Sequence, residues 1–391
     1  MKKPKRILVL ALAVQLPVLL VAQERPFPAD LKLPGDPDYR ILRVVRVGGA
    51  LAHTANLLPD EKVLVEGVWS RNSTSPQSVL YDPSTGVWTA TSARSVIRDK
   101  HAASLLPDGK VLLTGGSGKE STRFGSLVGA EIYDPATGKW AVTGPMINGR
   151  MYHTATLLRT GKVLVAGGAR RNPAGPSAEL FDPATGKWTA TGEMNTFSFR
   201  YDHTATLLTD GKVLVAGGLH SNKTLDSAEL YDPVTEKWTV TGAMKDPRCL
   251  HTSTLLPNGR ILVVGGLGGD EIRTLLSAEL YDSGSGKWME AGAMSQMSQM
   301  HAATLLPSGK ILVVAGQHSE LYDPTTGQWS PAGAMTTSPG YPVATLLGNG
   351  KILVTGVDRR TDSGADSAEL YDPATNTWSR LVINVVVGNK L

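Results

Sequence analysis

The stretch YDHTATLLTDGKVLVAGG, Tyr201 to Gly218, decides how the chain is read, because nearly the same words recur at His53, His101, His153, His251 and His301. Downstream of each copy lies an aromatic residue followed by aspartate, at Tyr81, Tyr133, Phe181, Tyr231, Tyr281, Tyr322 and Tyr371. A tryptophan follows each time, at Trp88, Trp140, Trp188, Trp238, Trp288, Trp329 and Trp378, 41 to 52 residues apart. A glycine or glycine pair stands between, at Gly67, Gly115-Gly116, Gly167-Gly168, Gly217-Gly218, Gly265-Gly266, Gly316 and Gly356. Self-similarity at such a period marks a repeat architecture.

Each copy reads as four strands. HTATLL ends at a turn such as Asp210-Gly211 or Asn258-Gly259, dipeptides that suit a two-residue hairpin joining strand a to strand b. KVLVAGG is almost wholly apolar and valine-rich, as a strand buried on both faces should be. SAELYD alternates, and DPATGK then supplies the proline and glycine of a tight turn before the tryptophan strand. A lone four-stranded meander cannot bury both its faces. Stacking such sheets radially does so, with Tyr and Trp packed between blades.

The glycine pair after strand b, the Tyr-Asp of strand c and the tryptophan of strand d resemble the kelch motif, over roughly residues 48 to 380. The wording is similar to kelch repeats of exported bacterial proteins. The resemblance implies an all-β fold, a seven-bladed kelch β-propeller of four-stranded antiparallel blades. Blade cores fall at about 50–90, 98–142, 150–190, 200–240, 248–290, 298–331 and 339–380. Three copies are irregular: blade 6 compresses its b–c loop to QHS, and blade 7 has Pro342 at the histidine position. Blade 1 has Glu66-Gly67 for the glycine pair and Val79 where the others carry glutamate. RILRVVRV (Arg40 to Val47) and RLVINVVVG (Arg380 to Gly388) are strand-like, and one of them is expected to close the ring.

The first 22 residues form a cationic MKKPKR followed by a 16-residue apolar run ending Leu20-Val21-Ala22. This reads as a secretory signal cleaved near Ala22, followed by a linker over 23–44. The run falls short of the ~20 residues needed to span a bilayer. The protein is therefore expected to be secreted or periplasmic, with no membrane span after cleavage. Losing Lys2, Lys3, Lys5 and Arg6 leaves 35 Lys+Arg against 35 Asp+Glu, so the pI near 9.0 argues for no nucleic-acid partner. Cys249 is the only cysteine, which excludes an intramolecular disulfide. A monomer stabilised by burial is expected.

In an a-b-c-d meander the a–b and c–d turns share one face, and here they are monotonous. The b–c and d–a loops share the other and differ in every blade, which is where binding residues tend to sit. That face carries Arg98, Arg150, Arg200 and Arg248, each three residues before its histidine, with Tyr152, Tyr201 and Tyr341 close by. The b–c loops add Arg170, Arg171, His220, Arg273 and Arg359. Together they form a candidate rim for carboxylates or sugars. The four regular arginines nevertheless read more readily as framework residues, bonding loop carbonyls. The recurring Glu131, Glu179, Glu229, Glu279, Glu320 and Glu369 read as structural, since a repeated position cannot be a unique catalytic centre. The blade-start histidines are expected to hydrogen-bond between blades more readily than to assemble four zinc ligands.

Kelch propellers include galactose oxidase, whose copper site needs a cysteine-linked tyrosine and a further C-terminal domain. Only 11 residues follow Arg380 here, and no tyrosine lies in the loop before His301. They also include a sialic-acid mutarotase, which resembles this chain in export and rim arginines. The favoured reading is an exported binding or interaction module, with no cofactor or metal, taking a protein or glycan ligand on the variable face. A carbohydrate-active enzyme is the alternative.

Overall fold

The structure is a computed structural model. It describes residues 44–46, 53–67, 78–118, 125–170, 172, 175, 177–196, 199–269, 273–296, 300–358 and 366–386. The signal segment and most of the linker lie outside the described residues, as do Arg171 and Arg359.

Blade 4 shows the repeating unit. Strands a (Thr204–Leu207), b (Val213–Ala216), c (Ala228–Asp232) and d (Lys237–Thr241) form one antiparallel meander. Strand b is buried throughout and strand d largely exposed, so apolar residues concentrate where two blade faces meet. Among the described residues seven such sheets occur, and their innermost strands neighbour one another in cyclic order from Thr54–Leu57 round to Pro339–Leu346. The chain is an all-β propeller.

One expectation is corrected. The a–b connection is a three-residue loop, because Leu208 N donates to Lys212 O at 2.8 Å and Gly211 N to Leu208 O at 3.0 Å. In that loop Gly211 alone takes a left-handed φ, of 90°. Both terminal segments join blade 1, and the C-terminal one links it to blade 7 and closes the ring. Val44–Arg46 pairs antiparallel with the inner strand of blade 1, and Val385–Val386 pairs parallel with its outer strand at Trp88 and Thr89.

Blade-to-blade bonds follow a rule. Each tyrosine or phenylalanine of strand c packs on its own tryptophan, with centroids 4.6–5.2 Å apart. Five indoles then donate to a carbonyl of the preceding blade, as Trp238 Nε1 does to Gly192 O at 2.7 Å. Each blade-start histidine shares a hydrogen bond through Nε2 with a threonine hydroxyl of the preceding blade. At three seams the histidine ring also fills the space a Cβ would need on the preceding blade's first glycine: an added methyl on Gly115 would stand 2.8 Å from His153 Cε1, and one on Gly167 or Gly217 2.6 Å from that of His203 or His251.

Candidate functional site

The variable face is built on the loops that enter strand a. In three blades the d–a loop pairs briefly with the b–c loop, Arg98–Asp99 with Ser117–Gly118, Arg150–Met151 with Ala169–Arg170, and Arg248–Cys249 with Leu267–Gly268. These short ladders raise the rim. Blade 6 has only a two-residue turn at Gly316 and Gln317, so its rim is low.

The four regular arginines belong to the framework, which corrects their place among ligand-contacting candidates. Arg98, Arg150, Arg200 and Arg248 are no more than 1% exposed. Arg150 Nη1 donates to Gly167 O at 2.8 Å and Ser177 O at 3.0 Å, and Nη2 to Glu179 Oε1 at 2.5 Å. The other three repeat this pattern on their own glycine carbonyls, and all four pair with the strand c glutamate. That glutamate's constant partner is nevertheless the d–a loop backbone. Glu179 accepts from Ile147 N and Asn148 N, and Glu369, with no arginine, still accepts from Thr336 N at 3.0 Å and Thr337 N at 2.6 Å. A buried carboxylate thus ties each entering loop to its blade.

Arg170 is also withdrawn from the surface. It is buried, donates to Gly175 O, and stacks its guanidinium 4.8 Å from the Phe199 ring centroid. Arg273 is exposed and His220 half-buried, on separate loop hairpins of blades 5 and 4.

What the loops deliver to the mouth of the ring, where they enter the innermost strands, is the residue just before each strand a histidine, or before Pro342 in blade 7. Lys100, Tyr152, Asp202, Leu250 and Tyr341 all adopt left-handed backbone conformations, with φ between 52° and 57°. Residues other than glycine rarely do so, and such strain collects at functional positions. The surrounding blades hold it through a belt of backbone bonds. Tyr152 N donates to Lys100 O at 3.1 Å, Asp202 N to Tyr152 O at 3.2 Å, and Leu250 N to Asp202 O at 3.0 Å. All five are half-buried.

The backbone is repeated and the side chains are not. Blades 2 to 4 present an ammonium, a phenol and a carboxylate; blades 5 to 7 present Leu250, Met300 and Tyr341. The Lys100 ammonium lies 5.2 Å from the Tyr152 ring centroid, and the Tyr152 and Tyr201 rings are 6.3 Å apart. Burial, tempered by the nearby Lys100, raises the Tyr152 phenol; burial and the Asp202 charge raise that of Tyr201. Burial pulls the Lys100 ammonium down, but the hydrogen bond to Tyr152 and the charges of Tyr152, Asp99 and Asp202 together lift it above its ordinary value. Sequence reasoning found Tyr152, Tyr201 and Tyr341 but missed Lys100, Asp202, Leu250 and Met300. The available signal was a single variable position inside an otherwise constant phrase.

The family described as the KLHDC2/KLHL20/DRC7 Kelch-repeats domain matches residues 52–266. No curated protein matches the sequence. Among solved structures, a fungal alcohol oxidase of the AA5 family in complex with copper superposes with a TM-score of 0.63 at 20% identity, covering 81% of this chain and 72% of its own. That likeness carries the fold. The residues here do not fit a copper centre: the six blade-start histidines are engaged with threonines, and among the described residues no three His, Cys, Asp or Glu side chains could hold an ion together.

Proposed function

Since the chain belongs to the family of Kelch-repeat domains, we propose that it works as an exported binding module, without catalysis of its own, which takes a protein or glycan ligand over the channel mouth. The observation that carries this reading is the ring of left-handed residues, one backbone geometry bearing an ammonium, a carboxylate, an alkyl group and two phenols over five blades. A scaffold that needed only to close its ring has no use for that variety at its most strained positions.

The titration of the mouth favours binding over acid–base chemistry. A general base or nucleophile needs a pKa near the working pH. The phenols of Tyr152 and Tyr201 are moved up instead, and burial pushes the Cys249 thiol up to about 12. Export rests on the leader at 1–22, and the monomeric state on the closed ring.

The test is a glycan array and a crosslinking capture on the mature protein, run beside Lys100→Ala/Tyr152→Ala and, on the opposite face, Lys110→Ala. A ligand kept by Lys110→Ala and lost at least tenfold by the mouth variant is the expected result. Equal binding by all three proteins would place the ligand elsewhere.

A further inference from the structure

The blades turn an edge toward the axis of the ring. Among the described residues the sheets of blades 2 to 7 end at strand a, so that what faces the axis is a strand edge, with the row of main-chain donors and acceptors such an edge presents. Blade 1 departs from this pattern. Val44–Arg46 is added beyond its strand a, with Val44 opposite Asn56, Val45 opposite Ala55 and Arg46 opposite Thr54. Strand b holds the other edge of Thr54–Leu57, so the added strand lies on the axial side. It also comes within 8 Å, Cα to Cα, of the inner strands of blade 2 (Ala102–Leu105) and blade 7 (Pro339–Leu346), the neighbours on either side. A strand that reaches three consecutive inner strands at once stands inside the ring.

Its direction follows from the register. Strand a runs from the variable face down to the a–b turn, and Val44–Arg46 runs against it, from the constant face toward the mouth. The ladder is three residues long, and six residues connect Arg46 to His53. So short a connection keeps the strand beside its edge at a high effective concentration, which makes up for the few bonds of the ladder.

We propose that the axis of the ring is a binding site for an extended peptide strand, and that Val44–Arg46 is its tethered occupant. Recognition is by strand addition, in which main-chain bonds to an exposed edge supply the attachment. The segment VVR suits it, with two β-branched residues that favour the extended form. When filled, the site closes the axis as a passage, so a ligand at the mouth meets the rim alone. Among the described residues blade 1 alone then has both edges covered, the inner by Val44–Arg46 and the outer by Val385–Val386. The site is independent of what binds at the mouth.

The experiment compares the mature chain with one that begins at Gly48, and its probe is a fluorescein-labelled peptide of residues 40–47. The truncated ring should bind one peptide, and the parent, its site filled, should bind at least tenfold more weakly. In native-state hydrogen exchange, alternate amides of Thr54–Leu57, those turned to the axis, should lose protection on truncation and regain it with peptide, while those turned to strand b keep theirs. Val45→Pro in the full chain, which bars regular pairing, should take up the peptide as the truncated chain does. Equal binding by parent and truncated chain, or unchanged protection of the axial amides, overturns the assignment. If the truncated chain fails to fold, Val45→Pro decides: uptake of the peptide supports a separable occupant, and no uptake makes the strand part of the frame and overturns the site.

Discussion

The imidazoles of His53 and His301 are driven down to about 4 by burial, and that of His251 is held well below its usual range, so the seams between blades are bonded by neutral rings. A lowered histidine gives stability that is present above its unfolded value near 6.5 and is lost as pH falls through the folded one. Glu66 runs the opposite way. Burial outweighs the attraction of Arg94 and Arg98 and lifts its carboxyl to about 8, so its contribution is complete below 4.5 and disappears as pH rises through 8. Thermal midpoints should therefore climb from pH 4 to 6.5, where three histidines outweigh Glu66, and decline from 6.5 to 8, and Glu66→Gln should flatten the alkaline limb and steepen the climb above 4.5. An unchanged limb in that variant would put the decline elsewhere. At the same scale, two left-handed glycines should answer differently to alanine. Gly186 has open space around its missing Cβ, whereas Gly217 is seated against His251. Gly186→Ala should cost only the left-handed strain of about 1–2 kcal/mol, and Gly217→Ala that plus the clash with the Arg248 carbonyl and the His251 ring, about 3 kcal/mol or more in urea unfolding.

Within a blade, the strands were legible because burial wrote them plainly: an all-apolar b strand between a mixed a strand and an alternating c strand. Between blades, hydrogen bonding by the blade-start histidines was legible but its partner was not, since it joins residues matched only after the ring is closed. Once closed, the pairing turns out to be spelled in the sequence. The hydroxyl comes from Thr54, Thr154, Thr204 and Thr252 on strand a, or from Thr114 and Thr355 directly across on strand b where strand a has Ala102 or Val343. Blade 6 has neither, with Ala302 opposite Val314, and it also has Ala315 at the glycine position. The next blade is the one with Pro342. Proline there is thus matched to a seam that could neither bond nor accommodate a histidine. Pro342→His alone should lower the thermal midpoint, because Ala315 occupies the ring's seat. Adding Ala315→Gly and Ala302→Thr should raise the midpoint above that of the single variant. Equal midpoints for single and triple variants would break the rule.

Over the whole molecule, alternation of constant and variable loops identified the working face, but composition pointed to its arginines, and most of those described are buried in the frame. Charge and exposure part company whenever a long side chain is needed to satisfy carbonyls inside a turn. The ring itself is a problem of ends. Seven blades leave the face of blade 7 to meet the face of blade 1, and the last strand crosses that seam: after Trp378 in blade 7 the chain runs through Leu381, Ile383 and Val385, which pack on the core of the first blades, to the outer edge of blade 1. The pairing is parallel and only two residues long, so apolar packing supplies most of the closure. Deleting residues 381–391 should then unlatch blades 1 and 7 while sparing the middle of the ring. In native-state hydrogen exchange the amides of Val63–Glu66 and Ile352–Asp358 should lose protection, and those of Val213–Ala216 should keep most of theirs. Uniform loss across all three strands would mean that the ring opens as a single cooperative unit, with no seam weaker than another.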